Sequence, residues 1–462
     1  MKLKTMSKTA LFGLVLLAAM FLAACRTAPS VFNDIDNSVH RGDFRAAIDM
    51  ITEAQEDPRN PLFPIDNAIS LFLDLGMLHH FAGDFQESSR RLLEAERLID
   101  DAFTRSITEG FLTWIANDNA REYPGEDFED IYISIFNALN FFHMGNLDAA
   151  MVEIRKLTLP NGKLNILARR HEDARAGFAD SVMEVLDAVG LSLNDALPQG
   201  DPVRFYNSAL ARYLSILFYL ASGNADSARI EYEQLHAAFA SNPRVFNHPM
   251  PSSAGAAREV PTGLARLNVL GFTGLSPIKQ EQAFFTYWGW IPFFTQRPFH
   301  TPRFLLPVLV DRPNTVDRIV VHVDGVASFP LELLENMGAV VKETFNARFA
   351  NLFFRTYLRV LSRYIAGEFS ARAAVEASGR EWAGWAMALS VVATSNALEG
   401  ADIRMGRFIP NKAHVGGINL EPGTYNVTIY FYNGNRRVGS ERREGVVVGA
   451  NQLNLIQVNH LN

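Results

Sequence analysis

Cysteine is nearly missing from this chain: Cys25 is the only one in 462 residues. No internal disulfide can form, so a packed core must hold the fold even in an oxidising compartment. Beyond the first 24 residues there is also no apolar run of the roughly 20 residues that span a bilayer. The apolar stretch around Ser390 to Ala393 soon meets Asn396 and Glu399. Concentrated positive charge is missing too. Lys and Arg number 43 against 50 Asp and Glu, a net charge of -7, which argues against a nucleic-acid partner. The usual catalytic signatures are absent. No Gly-rich phosphate loop precedes Lys-Ser or Lys-Thr, and no Gly-x-Ser-x-Gly elbow occurs. His79 and His80 are adjacent and point to different helix faces, and His171-Glu172 lacks a second histidine four residues after the first. No metal or other cofactor is therefore expected. Ser276 and Lys279 have the Ser-x-x-Lys spacing of penicillin-interacting acyl-transfer enzymes, in which a helical turn brings the lysine to the serine. The supporting Ser-Asp-Asn and Lys-Thr-Gly elements are not there. No catalytic residue is assigned, and whether the chain is an enzyme stays open.

What is present begins at the amino terminus. Lys2, Lys4 and Lys8 precede an apolar run from Ala10 to Ala24, the pattern of a secretory signal peptide over residues 1–24. Leu22-Ala23-Ala24-Cys25 resembles the lipobox of bacterial lipoproteins. The resemblance implies cleavage before Cys25 and a diacylglycerol on its sulfur, hence an exported protein attached to a membrane by lipid. Arg26 stands where an aspartate retains many such proteins at the inner membrane. That favours the periplasmic face of the outer membrane.

Residues 25–241 read as helical. Gly42-Asp43-Phe44 with Ala47 recurs as Gly83-Asp84-Phe85 with Ser88, Gly145-Asn146-Leu147 with Ala150, and Gly223-Asn224-Ala225 with Ala228. Glycine accepts the left-handed conformation that ends one helix. Asp or Asn then caps the next, and the small residue lets two helices approach. The unit resembles the inter-helix turn of a tetratricopeptide repeat. Its spacings of 41, 62 and 78 residues exceed that repeat's period of about 34. We therefore expect an irregular tetratricopeptide-like array with extra helices between the pairs, or a plain helical bundle with the same secondary structure. Phe136, His143 and Tyr213 are the candidate lining of a partner groove. The acidic run Glu126, Asp127, Glu129 and Asp130 suits the start of a helix at Ile131, whose dipole it complements, better than acid–base work or cation binding.

Composition changes at Asn242. Residues 242–263 read as a linker, rich in proline and with Ser252 to Gly255 as a flexible link. Residues 264–400 read as a mixed α/β domain. It carries strands from Leu264 to Phe272, Phe304 to Val310 and Arg318 to Val323, a loop over Gly274 to Lys279, and a helix from Leu331 to Leu361. Trp288 and Trp290 lie in an aromatic cluster that is either a binding surface or a loop folded over the sheet. Arg348, Arg355, Arg359 and Arg363 form a stripe on the helix, either an anion-binding face or a locally paired one. Trp288, Trp290, Arg355, Arg359 and Arg363 are the candidate aromatic and basic surface. Residues 401–462 read as a small β-sandwich-like module, alone or packed with 264–330. Thr424 to Tyr432 alternates, and Asn433-Gly434-Asn435 marks a hairpin. The fold class is α+β and multidomain.

Three segments carry a further resemblance: Tyr123 to Glu129 with Ala138 to Arg155, Gly274 to Lys279, and Ala401 to Arg404 with Pro410 and Leu420 to Tyr425. Together they resemble a family of uncharacterised bacterial lipoproteins with a tetratricopeptide-like helical part, from about Gly110 to the end. The chain departs from it at Met405-Gly406, where a Ser-Trp pair is expected. Such proteins look like neighbours of cell-wall synthesis activators, and no catalytic residue is carried over. The resulting expectation is a lipid-anchored scaffold or accessory factor that holds another envelope protein. The alternative is a cell-wall glycan- or peptide-binding accessory, or an acyl-transfer or hydrolytic enzyme, using the middle region.

Overall fold

The computed structural model describes residues 28–57, 61–108, 123–166, 207–285, 303–380 and 400–462, together with six residues between 381 and 399. It is a mixed helix-and-sheet protein. Among the described residues eight α-helices come first as four hairpins: α1 (Ala28–His40) with α2 (Phe44–Gln55), α3 (Ala68–Phe81) with α4 (Phe85–Thr108), α5 (Asp127–His143) with α6 (Leu147–Thr158), and α7 (Ala209–Ala221) with α8 (Ala225–Ser241). Each of the four turns is built alike. Gly42, Gly83, Gly145 and Gly223 have φ of 76°, 80°, 75° and 74°. The N–H of the next residue reaches back five positions: Asp43 to Ser38, Asp84 to His79, Asn146 to Phe141 and Asn224 to Tyr219, at 2.8–2.9 Å. The side chains of those residues then cap the following helix on Ala46, Glu87, Ala149 and Ser227. Ala47, Ser88, Ala150 and Ala228 are fully buried where the helices of each pair meet. The expected turn chemistry is thus realised at every copy.

These glycines face open space but need the left-handed conformation. Gly223→Ala is expected to cost about 1–2 kcal/mol, the penalty of that conformation for an L-residue. Gly223→Asn should cost less, because asparagine tolerates it. Urea unfolding of the two variants checks the order.

The two helices of a hairpin differ. In α5 every residue from Phe128 to Asn140 is buried, and in α7 every residue from Ala209 to Tyr219. Helices α6 and α8 bury only a stripe, with Val152 and Ile230 exposed on them. A helix that is apolar all round must be covered on all sides. The second helices cover one side of α3, α5 and α7, and a β-sheet covers another. Consecutive helices touch along the array, and α5 also touches α3 and α7.

A short helix, α9 (Ser252–Ala256), follows the array. The sequence reads this stretch as a flexible link. Instead the Glu332 carboxylate accepts from the N–H groups of Ser252 and Ser253, which fixes the helix start, and Ser253 and Ala254 are buried.

The strands are β1 (Ala265–Leu275), β2 (Ile278–Phe285), β3 (Arg303–Val310), β4 (Arg318–Val323), β5 (Ala327–Pro330), β6 (Glu332–Asn336), β7 (Pro410–Leu420), β8 (Gly423–Asn433), β9 (Arg436–Val448) and β10 (Asn454–His460). One sheet has the order β10-β1-β7-β6, with β1 and β10 parallel. A second has the order β5-β4-β8-β9, and β2 pairs with β3 as a separate ribbon. The four strands of residues 401–462 therefore divide between two sheets. β1 is buried at all 11 positions. Its Leu270 and Phe272 enter the core shared with the helices, while Leu267 and Val269 enter a second core with Ile319, Val321, Ile429 and Phe431. The period of two sends alternate side chains to opposite faces.

Two sequence readings change here. Glu332–Asn336 is strand, and the long helix α10 (Met337–Ser378) starts after it, with Asn336 capping Ala339. Ser276 lies in the two-residue connection between β1 and β2 and Lys279 in β2, so no helical turn relates them.

Candidate functional site

The three segments quoted from the sequence come together where α1, α3 and α5 face the chain between Ala401 and Pro410. Tyr123 enters beside the start of α5, its N–H on the Asp66 carbonyl at 2.9 Å. Glu129, one turn into the helix, is fully buried. Its Oε2 accepts from the Tyr123 hydroxyl at 2.9 Å and from the Glu126 N–H at 2.8 Å; its Oε1 accepts from the Gly406 N–H at 2.6 Å. Burial, and next the Glu126 charge, push the Glu129 carboxyl up to about 7, against the pull of its backbone donors.

Lys279, in β2, donates from Nζ to Glu126 Oε1 at 2.5 Å and to the Arg404 carbonyl at 3.2 Å. The side chains of Lys279 and Glu126 are only 9% and 11% exposed. Arg404 holds Asp402 with two nitrogens, at 2.8 and 2.9 Å, and lies over the Tyr123 ring at 5.5 Å. Arg407 donates its N–H to Asp74 Oδ1 at 2.6 Å and its Nη2 to Asp36 Oδ2 at 2.8 Å. Arg312 donates to the carbonyls of Ser276 and Arg407 and sits 3.7 Å from Asp36. Asp74 is fully buried, and desolvation pushes its carboxyl up to about 8 although two arginines are near. Gly406 is required by contact: a Cβ there would lie 2.3 Å from Leu73 Cδ2. Met405 is buried, with its sulfur 3.1 Å from the Lys279 N–H.

Chemically this arrangement is a clasp. Its carboxyl groups and cations bond one another and backbone groups across the helix–sheet boundary, while Asp74 Oδ2 and Arg407 Nε are buried without a hydrogen-bond partner. Ser276 Oγ is buried without a hydrogen-bond partner, and the Lys279 amine is turned onto Glu126, so the pair is not assembled for acyl transfer. Burying an unmet hydroxyl costs free energy, so Ser276→Ala should leave the denaturation midpoint unchanged or raised.

The candidate groove residues lie under the chain's own β half. Phe136 is fully buried with its ring 5.2 Å from Phe272 of β1, and Tyr213 is fully buried in the same core. His143 stacks on Phe85 at 4.5 Å and donates from Nε2 to Gln457 of β10 at 3.1 Å. Beside it His80 donates from Nδ1 to Asn140 and accepts at Nε2 from Gln457, each at 2.6 Å. Burial lowers the His80 pKa to about 3, which fits that neutral tautomer. A third link runs through Glu335 of β6, whose carboxylate accepts from Tyr132, Ser208 and the Leu210 N–H. Phe136, His143 and Tyr213 therefore line no open groove in this fold.

Of the aromatic and basic surface, Trp288 and Trp290 lie outside the described residues, as do Cys25 and the Arg355 side chain. Arg359 is 1% exposed and donates to Thr356, so it does not belong to a solvated stripe; Arg363 is half-buried. Among the described residues no three His, Cys, Asp or Glu side chains could hold a metal ion, and no helix is long and apolar enough to cross a membrane. The chain matches no family model, no curated protein and no solved structure. Function must be argued from the geometry itself. The clasp is what the residue-by-residue reading missed. Its one signal was that Tyr123, Glu126, Glu129, Lys279 and Arg404 all fall within the short segments that carried the resemblance.

Proposed function

We propose that the protein is a lipid-anchored scaffold or accessory factor of the cell envelope, tethered through Cys25 at the periplasmic face of the outer membrane. In this reading the helical half is tetratricopeptide-like and residues 401–462 supply a β-sandwich-like module. The observation that supports it most is the division of labour among the helices. The first helices of the hairpins are covered by the β half, leaving the second helices as the outward face, with Leu93, Val152 and Ile230 exposed along it. Stacked helix pairs present extended surfaces that suit other proteins. The partner surface in this reading is that outer face rather than a groove lined by Phe136, His143 and Tyr213. The clasp, with its ionic groups paired internally, favours a holding role over a transforming one.

A photo-cross-linker at Val152 or Ile230 in the intact envelope should recover one and the same protein, while a control at exposed Val447 on β9 should not. Indiscriminate labelling would count against the scaffold. Mass spectrometry of the amino terminus should find diacylglycerol on Cys25, and an unmodified terminus would remove the tether. Loss of function in Ser276→Ala with folding intact would return the catalytic alternative.

A further inference from the structure

The hairpins give the helical array two unlike ends. The four glycine turns gather at one. Phe44 lies 5.7 Å from Phe81, Phe85 stacks on His143 at 4.5 Å, and Phe142 meets Phe218 at 5.9 Å, each contact joining one turn to the next. Helices α1, α3 and α5 start at the other end, and the clasp fixes their levels. Asp36 and Asp74 both bond Arg407. At about 1.5 Å per residue, Asp36 lies about 12 Å along α1 from Ala28, and Asp74 about 9 Å along α3 from Ala68. Ala28 is therefore level with the start of α3 to within a side chain's length. Tyr123, just before α5, joins the same end through the Asp66 carbonyl.

Two aliphatic side chains stand out in water there. Ile65 is 94% exposed, the highest value for a large apolar side chain among the described residues, and Ile403 is 47% exposed. Neither sits on a loose segment. Phe63 is buried edge-on to Phe32 of α1 at 5.7 Å, and the Gln55 amide bonds both its N–H and its carbonyl at 2.9 Å. The Asn67 N–H donates to the Pro64 carbonyl at 2.8 Å and closes the turn around Ile65. Ile403 lies between Asp402 and Arg404, whose side chains bond each other, and the Ala401 N–H is held by Glu281. Arg404 then reaches the Asp66 carbonyl at 3.2 Å, so one contact has an exposed isoleucine on either side of it.

We propose that Ile65 and Ile403 enter the surface of the membrane that holds the anchor, and so stand the helices on end. This deepens the scaffold reading and rests on its lipid at Cys25. Only Arg26 and Thr27 separate Cys25 from Ala28, a reach of about 11 Å at most. A lipid on that sulfur brings this end of the molecule, and not the turn end, to the headgroups. Aliphatic side chains gain by leaving water, and the headgroup–acyl boundary accepts them to a depth of about 5–10 Å. A protein partner fits less well. Two isoleucines beside Pro64 fall far short of the roughly 800 Å² that each side of a stable complex contributes. A tethered molecule needs no such area, because the anchor already holds the patch at the surface. Arg404 pairs with Asp402 and Asp66 beside the two isoleucines, so the contact is apolar and should not respond to salt.

The test uses the acylated full-length protein in vesicles of phosphatidylethanolamine with phosphatidylglycerol as the minor lipid. Acylation blocks Cys25, so Ile65→Cys or Ile403→Cys offers one thiol for an environment-sensitive fluorophore. Met144→Cys, at an exposed position of the turn end, is the control. Probes at 65 and 403 should shift to the blue and lose emission to a nitroxide-labelled lipid, in low and high salt alike. The probe at 144 should do neither. Flotation with the vesicles reports the anchor separately. Protein that floats with both isoleucine-site probes in water overturns the contact and leaves the anchor standing; protein that does not float overturns both. Equal quenching at 144 overturns the orientation. Probes that become shielded only in the native envelope assign the patch to a protein and overturn the proposal as well. The unaltered side chains give a second reading. Hydroxyl-radical oxidation of Ile65 and Ile403 should fall severalfold in the acylated protein on vesicles, relative to the Cys25→Ser chain in solution, with Val152 and Ile230 unchanged. Undiminished oxidation of both would equally overturn it.

Discussion

Lys279→Ala is expected to destabilise the protein by about 3–5 kcal/mol, the cost of leaving one member of a buried ion pair alone. Three losses combine. Glu126 is left at 11% side-chain exposure without its cation. The Arg404 carbonyl loses a donor at 3.2 Å. Glu129, already pushed up by burial and next by the charge of Glu126, sits beside a carboxyl group that has lost its cation. The double variant Lys279→Met with Glu126→Gln removes both charges and keeps both shapes. It should recover most of the loss, because an apolar or neutral replacement of a whole buried pair is often close to neutral. A double-mutant cycle by urea denaturation at pH 7 measures the coupling. Additive losses, or a Lys279→Ala variant within about 1 kcal/mol of the parent, would mean that the pair does not clasp the halves. The same cycle bears on catalysis. A lysine whose removal is repaired by neutralising its carboxylate partner is structural.

Much of the local structure was legible because it is set by local chemistry. The Gly-Asp and Gly-Asn turns were readable since a positive φ and an Asx cap need those residues whatever surrounds them. Strand β4 runs from Arg318 to Val323 as its alternation implies. What depended on distant neighbours was misread or invisible. Leu331 and Leu334 fit a helical spacing with Val341, yet Glu332–Asn336 is strand. There Glu335 meets donors from Tyr132 and Ser208, and Glu332 caps α9. Phe136 and Tyr213 were read as one face of an amphipathic helix with an open groove beyond. The better signal was that α5 and α7 are apolar nearly all round, which calls for cover on every side. The pairing of β1 with β7 and β10 joins residues 135–187 positions apart, and no local pattern encodes it. The clasp is invisible for the same reason. Asp36, Asp74 and Arg312 look like ordinary surface charges until the fold brings Arg407 to them.

Stability should hold a plateau between about pH 4.5 and 6.5 and then fall as pH rises to about 8. Asp74 is raised from 3.8 to about 8 and Glu129 from 4.5 to about 7. Each holds its proton in the folded chain at a pH where the unfolded chain has released it. Their contribution is complete below the unfolded value and is lost as pH climbs through the folded one. His80 and His414 act in the opposite sense, both lowered by burial from 6.5 to about 3. They stay neutral when folded, so their contribution is complete above 6.5 and is lost as pH drops toward 3. Between about 4.5 and 6.5 the raised carboxyls, with Glu335, Glu153, Glu231 and Glu441 shifted by burial in the same sense, oppose the lowered imidazoles, with His40, His79, His143, His248 and His460 shifted by burial alongside His80 and His414, so the slopes offset. Above 6.5 the imidazoles have nothing further to add, and the carboxyls alone drive stability down. Asp74→Asn isolates the effect. An amide keeps an acceptor for the Arg407 N–H and stays neutral at every pH, as the protonated acid does. At pH 8.5 this variant should be more stable than the parent by up to a few kcal/mol, because one such carboxyl costs the parent about 1.4 kcal/mol for every pH step between its unfolded and folded pKa values. At pH 5 it should match or fall below the parent. Asp74→Asn with Glu129→Gln should flatten the alkaline limb while leaving the acid limb in place. Urea midpoints across pH 4 to 9 read the whole curve. A parent protein that gains stability from pH 6.5 to 8, or an Asp74→Asn variant with an unchanged alkaline slope, would show that the two carboxyls are ionised in the clasp and held by Arg312 and Arg407.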